Sequence, residues 1–210
     1  MDIFREVEKL IEKFDDFIDI WHKIDGESPS IDVLPIRREF KINNDFQKAS
    51  FEILESNYNL WHLEDLARDN DADDSIIANV KRKIDKENQL RNDRIEKLDI
   101  LIDEYLKENK IFPETDVSNS ETPGSIVDRL TILSLKIYHM NEQTQRKDVD
   151  KNHILSCENK LKILNLQRDD LAKALKILIK EISKGEKKHK IYYQFKMYNN
   201  PTLNPVLYKK

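Results

Sequence analysis

The sequence predicts a single all-α domain, a bundle of about five long helices. Helix breakers are rare: the 210 residues include only three glycines and six prolines, and residues 36–112 and 125–184 contain neither. Apolar residues recur at intervals of three and four, which is the period of an amphipathic helix. Hydrophobic residues make up 39% of the chain and charged residues 36%, a balance that favours helices with one buried and one solvated face. A sandwich, a barrel or a doubly wound sheet would need many more turns than this sequence offers.

The first predicted helix covers residues 2–24, where Leu10, Phe14, Phe17 and Trp21 share one face. The connection at residues 25–43 contains one glycine and two prolines, and its apolar residues predict that it packs on the outside of the bundle. A second helix is predicted over residues 45–68 and is apolar on two sides. A third is predicted over residues 75–109, with an aspartate at position 73 or 74 as its N-cap.

The fourth predicted helix, about residues 123–145, is expected to be the central buried helix. Thr122 is suited to cap it, Pro123 fits its first position, and residues 125–140 are apolar almost all round. A fifth helix is predicted over residues 148–184 and ends before Gly185, a natural C′ residue. We therefore expect residues 1–185 to form one helical bundle domain. Residues 186–210 form a basic, aromatic tail that is expected to pack on the bundle.

Composition excludes several classes of function. The glycines are too scattered for a phosphate-binding loop of the Walker or Rossmann kind, and the single cysteine, Cys157, excludes an internal disulfide or a cysteine cluster for zinc. The start of the chain lacks the apolar core of a signal peptide, and no stretch is long enough to span a membrane, so a cytoplasmic protein is expected. The net charge is −4, and the six lysines of the tail leave an acidic body, which argues against a nucleic-acid partner.

Polar residues interrupt the apolar faces of four of these helices. In a bundle such faces converge, so these residues predict one shared polar layer. In the functional interpretation the layer is a pocket for a small anionic ligand, because arginine binds carboxylate and phosphate in a bidentate manner. The predicted acid or base residues are Glu64, Asp65, Asp85 and His139. The predicted ligand-binding residues are Trp61, Arg68, Asn88, Asn92, Asp128, Arg129, Lys136 and Arg168.

The same pattern supports other interpretations. An internal ion-pair network that fixes helix register would also gather acids and bases, and it would leave the protein as a scaffold for a partner. Magnesium is a further candidate, since carboxylates are its preferred protein ligands, and the acidic side chains available are Glu64, Asp65, Asp93 and Glu96. That would make the protein similar to the helical nucleotide pyrophosphohydrolases, although their paired acidic signatures are absent. The repeated Trp-His dipeptides at 21–22 and 61–62 are interpreted as a coincidence.

Several segments resemble the bacterial domain of unknown function 4254 family. They are "NLWHLEDLAR" (59–68), "VKRKIDKENQLRND" (80–93), "TPGSIVDRLTILSLKIYHM" (122–140), "LQRDDL" (166–171) and "QFKMYNNPTLNP" (194–205). Members of this family tend to be encoded among genes for lipopolysaccharide and other surface glycans, including glycosyltransferases. The resemblance therefore implies a context in surface-glycan biosynthesis, with a phosphorylated or nucleotide-linked sugar as the ligand or a glycosyltransferase as the partner. It leaves open whether the protein catalyses a reaction.

Overall fold

The computed structural model describes residues 3–25, 44–195, 197 and 200–208. The helices within these ranges are α1 (Ile3–Asp25), α2 (Asp45–Leu66), α3 (Asp74–Glu108), α4 (Pro123–Thr144), α5 (Lys151–Ser183) and the single-turn α6 (Pro205–Tyr208). The described ranges hold no β-strand, only an isolated bridge between Ser118 and Lys188. The all-α prediction of five long helices is confirmed. The connection predicted at residues 25–43 lies outside the described residues apart from Asp25, the last residue of α1.

Three of the long helices begin where a side chain caps the first turn. The side-chain oxygens of Asn44, Thr122 and Asp150 accept hydrogen bonds from the backbone N–H groups three residues later, at 2.8, 3.1 and 2.8 Å. Each cap satisfies a donor that the helix itself leaves unpaired. The cap at Asp150 also explains why α5 begins at Lys151, three residues later than predicted.

Helix α4 is the central helix, as predicted. It contacts α1, α2, α3 and α5, and its buried side chains include Ile126, Leu130, Thr131 and Leu135. Its first turn approaches α3 closely, because Gly124 donates its N–H to Asp99 Oδ1 at 2.8 Å. A Cβ at position 124 would lie only 2.7 Å from the carbonyl oxygen of Ile95. Glycine therefore permits the close approach that places α4 in the middle of the bundle.

Aromatic rings join α1 to α2. Phe17 stacks on Phe51 with ring centroids 4.0 Å apart, and Phe14 meets Phe51 edge to face at 5.9 Å. Further along the same interface, the ring centroids of Trp21 and Tyr58 lie 4.9 Å apart. All five rings are buried, and such pairs add about 0.5–1.5 kcal/mol each beyond their buried area. The predicted apolar row of α1 is thus buried, and Phe14, Phe17 and Trp21 of that row pack against α2.

The chain after α5 returns along the connection between α3 and α4. Gly185 has a φ of 74° and accepts a hydrogen bond from Glu114 N–H at 3.0 Å. Lys188 N–H donates to the Val117 carbonyl at 2.8 Å, and the His189 ring donates to the Asp99 carbonyl at 2.9 Å. The aromatic side chain of Phe195 beyond this point is exposed. None of the helices described in the structure is long and apolar enough to cross a membrane.

Candidate functional site

A buried polar network joins α2, α3 and α4. The side-chain amide of Asn57 donates to Asp128 Oδ1 at 2.7 Å and to Thr131 Oγ1 at 2.8 Å. The carbonyl oxygen of the same amide accepts from Arg91 Nη1 at 3.2 Å. Arg91 Nε also lies 3.9 Å from Asp128 Oδ1, which makes a long ion pair. The network therefore contains one largely buried carboxylate, 15% exposed, beside a cation and an amide, and such partners lower the cost of placing a charge in a helical core.

Burial raises the pKa of the Asp128 carboxyl. The hydrogen bond from Asn57 and the charge of Arg91 act in the opposite direction, and burial outweighs them. Arg91 was not among the residues predicted for the site. The sequence feature that could have identified Arg91 is its spacing from Ile84, Asn88 and Ile95. This spacing places Arg91 on the same helix face as the apolar residues of α3.

The network forms one wall of a groove between α2, α3 and α4 with a volume of about 430 Å³, which we call the central groove. Its lining includes five residues predicted for the site, namely Trp61, Glu64, Asp65, Arg68 and Asn88, together with Asn57 and Arg91 from the network. Leu60, Ile132 and Leu135 supply its apolar part. The groove therefore presents an indole ring, two carboxylates, two guanidinium groups and amides within one concave surface, a set that suits a polar ligand.

The carboxylates of the central groove differ in their surroundings. Glu64 pairs with Arg68, whose Nη1 lies 3.0 Å from Glu64 Oε2 and 2.5 Å from the Glu64 carbonyl oxygen. Burial raises the pKa of the neighbouring Asp65 carboxyl, against the opposing charges of His139 and Arg68. Asp65 is thus a carboxyl of the central groove with a raised affinity for a proton.

The prediction of one shared layer is wrong for the other cations. Arg129 and Lys136 line a different groove, between α4 and α5, together with Gln167 and Asp170. Arg129 Nη1 is paired with Glu121 Oε1 at 2.5 Å. The physical reason is that consecutive helical residues diverge by about 100°. Asp128 faces α2 and α3, whereas Arg129, the next residue, faces α5.

The remaining predicted residues are also dispersed. Arg168 Nη1 pairs with Asp15 Oδ2 of α1 at 2.7 Å. Asp85 is exposed and pairs with Lys81 of the same helix. Asn92 is buried on α3 but does not line the central groove. None of these three side chains lines the central groove.

The four carboxylates proposed for magnesium do not assemble either. Asp93 accepts from Gln89 Nε2 at 2.8 Å, and Glu96 accepts from Gln194 N–H at 2.7 Å, both away from Glu64 and Asp65. Within the part of the chain that the structure describes, none of these carboxylates belongs to a group of three potential metal ligands. A magnesium site built from that set is therefore not formed.

Three histidines from three helices meet beside the central groove: His22 of α1, His62 of α2 and His139 of α4, which we call the histidine cluster. One ring nitrogen of each lies within 4.8 Å of those of the other two. His139 is among the acid or base residues predicted from the sequence, whereas His22 and His62 are not among the predicted site residues. The sequence feature that could have identified them is the repeated Trp-His dipeptide at 21–22 and 61–62.

Aromatic rings enclose the histidine cluster. Tyr138 stacks on His22 with centroids 4.1 Å apart, and Trp61 stacks on His139 at 4.4 Å with an angle of 9° between the rings. Burial and the two neighbouring imidazoles lower the pKa of His62 to about 4. His62 is therefore neutral at physiological pH, with a lone pair on one ring nitrogen.

Comparison with known proteins gives one match. Neither the curated proteins nor the solved structures contain a match to the chain. Residues 49–191, more than half of the chain, match the family model described as a protein of unknown function, DUF4254. The matched range includes α2 from Ala49 onward and all of α3, α4 and α5, and it contains the whole lining of the central groove. The chain belongs to the DUF4254 family.

Proposed function

We propose that this protein acts in the cytoplasm in the biosynthesis of lipopolysaccharide or another surface glycan, and that it binds a phosphorylated or nucleotide-linked sugar in the central groove. The observation that carries the proposal is the combination of an indole ring, carboxylates, guanidinium groups and an amide in one groove of about 430 Å³. That volume lies within the range of about 300–1,000 Å³ that is usual for small-molecule sites.

In the central groove, one set of side chains is suited to bind the sugar of such a ligand and another set its phosphate. Carboxylates and amides accept and donate hydrogen bonds to sugar hydroxyls, and Glu64, Asp65 and Asn88 supply these groups. Arg68 and Arg91 lie in the same lining and are the cations for a phosphate, which arginine binds through two parallel N–H donors. Trp61 supplies an apolar ring, and its stacking on His139 holds that ring in place. The glycan context comes from the family resemblance.

Binding is tested by thermal shift and calorimetry with sugar phosphates, nucleotide sugars and free nucleotides. We expect one of these classes to raise the melting temperature, and we expect Arg68→Ala and Asn88→Ala to weaken its binding at least tenfold. Arg129→Ala and Lys136→Ala are matched controls, because they remove a cation from the groove on the opposite side of α4. If Arg68→Ala and Asn88→Ala both keep the wild-type affinity, the ligand binds outside the central groove. The same holds if Arg129→Ala or Lys136→Ala loses affinity. The absence of any shift would reject the proposal.

A second candidate function, a scaffold for a glycosyltransferase, is favoured by one observation on α5. Leu155, Leu166 and Ile177 are 55%, 62% and 47% exposed, and they stand eleven residues apart, which is about three helical turns. They therefore form an exposed apolar row along one face, suited to pack against a helix of a partner. Most of the described apolar side chains of α1 are buried, so the exposed row of α5 is the surface that favours a scaffold.

The scaffold is tested by co-purification with any glycosyltransferase encoded near this protein. We expect Leu166→Lys to abolish the complex and to leave ligand binding in the central groove unchanged, because Leu166 does not line it. Lys173→Ala, on the same helix, is the control. A complex that survives Leu166→Lys would exclude this row as the contact.

A further inference from the structure

The histidine cluster has the hydrogen-bonding pattern of a metal site. His22 Nδ1 lies 2.8 Å from the carbonyl oxygen of Ile18, and His139 Nδ1 lies 2.8 Å from Glu142 Oε2. Both oxygens are acceptors, so each Nδ1 carries the proton and each Nε2 keeps its lone pair. His62 Nδ1 lies 4.0 Å from Asp65 Oδ2, which is beyond hydrogen-bond distance but places a carboxylate on the same side of the ring. In metal sites a carbonyl or carboxylate holds the second ring nitrogen of each ligand in this way.

The remaining nitrogens point to a missing partner. The Nε2 atoms of His62 and His139 are buried and have no hydrogen-bond partner among the described residues. A buried polar atom without a partner is unusual and costs about 1–3 kcal/mol. No O–H or N–H group in the described part of the chain donates to these two atoms. A cation between the rings would satisfy both lone pairs at once.

We infer that His22, His62 and His139 bind one divalent transition-metal ion, with zinc as the first candidate. Imidazole nitrogens favour zinc, copper, nickel and iron over magnesium and calcium, whose preferred ligands are oxygens. Tetrahedral coordination at Zn–N distances of about 2.0–2.1 Å requires neighbouring nitrogens about 3.3 Å apart. One ring nitrogen of each histidine already lies within 4.8 Å of one ring nitrogen of each of the other two, so rotations of the side chains can close the site.

Three protein ligands leave at least one coordination position open. Structural zinc sites have four protein ligands, whereas sites with three hold water or substrate at the fourth position. The side chains of His62 and His139 are 14% and 20% exposed, so solvent reaches the edge of the cluster. Trp61 and Asp65 contact the cluster and also line the central groove. The metal therefore lies beside the groove, although its binding does not depend on the groove ligand.

The metal alone is the probe. The full chain is stripped with a chelator, loaded with Zn²⁺ or Co²⁺, and analysed by mass spectrometry for metal content and by the visible absorption of Co²⁺. We expect one ion per chain, and we expect His62→Ala and His139→Ala to weaken binding at least 100-fold. His153→Ala is the matched control, because His153 lies outside the cluster. Its Nε2 is 3.5 Å from Cys157 Sγ, so it also tests whether that pair binds the metal. It should leave the stoichiometry and the affinity unchanged.

A milder substitution separates metal binding from folding. Glu142 is half exposed and contacts His139 Nδ1, so Glu142→Gln should fold normally by circular dichroism. We expect it to weaken metal binding about 10–100-fold, as loss of a carboxylate behind a histidine ligand does elsewhere. A folded wild-type chain that retains less than about a tenth of an ion after loading would overturn the inference. So would binding that survives the histidine substitutions or is lost in His153→Ala.

Discussion

Single residues explain how the middle of this bundle tolerates polar groups. Asn57 is 4% exposed, and all three of its side-chain contacts in the network reach other helices. An amide can donate and accept at once, so it satisfies Asp128 and Arg91 together. The same network forms one wall of the central groove. Hydrogen bonds to Asp128 and Thr131 fix the Asn57 side chain, and this gives the groove a polar surface there.

At this scale the stability of the protein should depend on the protonation of Asp128. Its pKa is raised by burial, so the native state binds a proton at higher pH than the unfolded state, whose value is near 3.8. Between those two pKa values the native state holds more protons, and the free energy of unfolding falls as the pH rises. We expect wild type to lose stability relative to Asp128→Asn through this window. Urea unfolding from pH 4 to pH 7 measures the difference.

The control for this pH dependence is Asp85→Asn, which changes an exposed carboxyl of α3. Its free energy of unfolding should run parallel to that of wild type over the same range. A constant difference between wild type and Asp128→Asn at every pH would show that the carboxyl titrates alike in the folded and unfolded states.

Between elements, the contact of α3 with α4 depends on Gly124. Alanine normally stabilises a helix relative to glycine by about 0.5–1 kcal/mol. Here a Cβ would lie 2.7 Å from the Ile95 carbonyl and 3.0 Å from the Asp99 carboxyl, so α4 would have to move away from α3. We expect Gly124→Ala to lower the free energy of unfolding by about 1–3 kcal/mol, as overpacking does. A stabilising effect in chemical denaturation would contradict this packing.

The pairing of α2 with α3 depends on Arg94. Its guanidinium group donates to the Glu52 carbonyl at 2.6 Å, to Ser56 Oγ at 2.6 Å and to Glu55 Oε2 at 2.7 Å. Lysine cannot reproduce this planar fork, although it keeps the charge. We expect Arg94→Lys to cost about 1.5–3 kcal/mol, the range for a lost hydrogen bond to a charged group. Arg82→Lys, at an exposed site on the same helix, should change the free energy of unfolding by less than about 0.5 kcal/mol.

For the whole molecule, the sequence predicted the helices well and the meeting points of their polar faces poorly. Periodicity and capping are local, so the starts of α2 and α4 follow from Asn44 and Thr122. The relative rotation of the helices is set by tertiary packing, and periodicity carries no information about it. Arg129 and Asp128 are neighbours in sequence yet line different sides of α4, and His22 and His139 lie far apart in sequence yet meet.

If the histidine cluster binds a metal ion, the free energy of unfolding of the whole protein should increase when the metal is present. Its ligands lie on α1, α2 and α4, so an ion bound there joins three helices of the folded state and is lost on unfolding. A ligand at about 100 times its dissociation constant adds about 2.7 kcal/mol to the free energy of unfolding. For a chain of this size that corresponds to a rise in melting temperature of about 5–10 °C. We expect that rise with Zn²⁺ and its loss in His139→Ala, whereas Arg129→Ala should retain it, because Arg129 lies on the α5 side of the same helix. An equal rise in all three proteins would mean that zinc stabilises the bundle from another site.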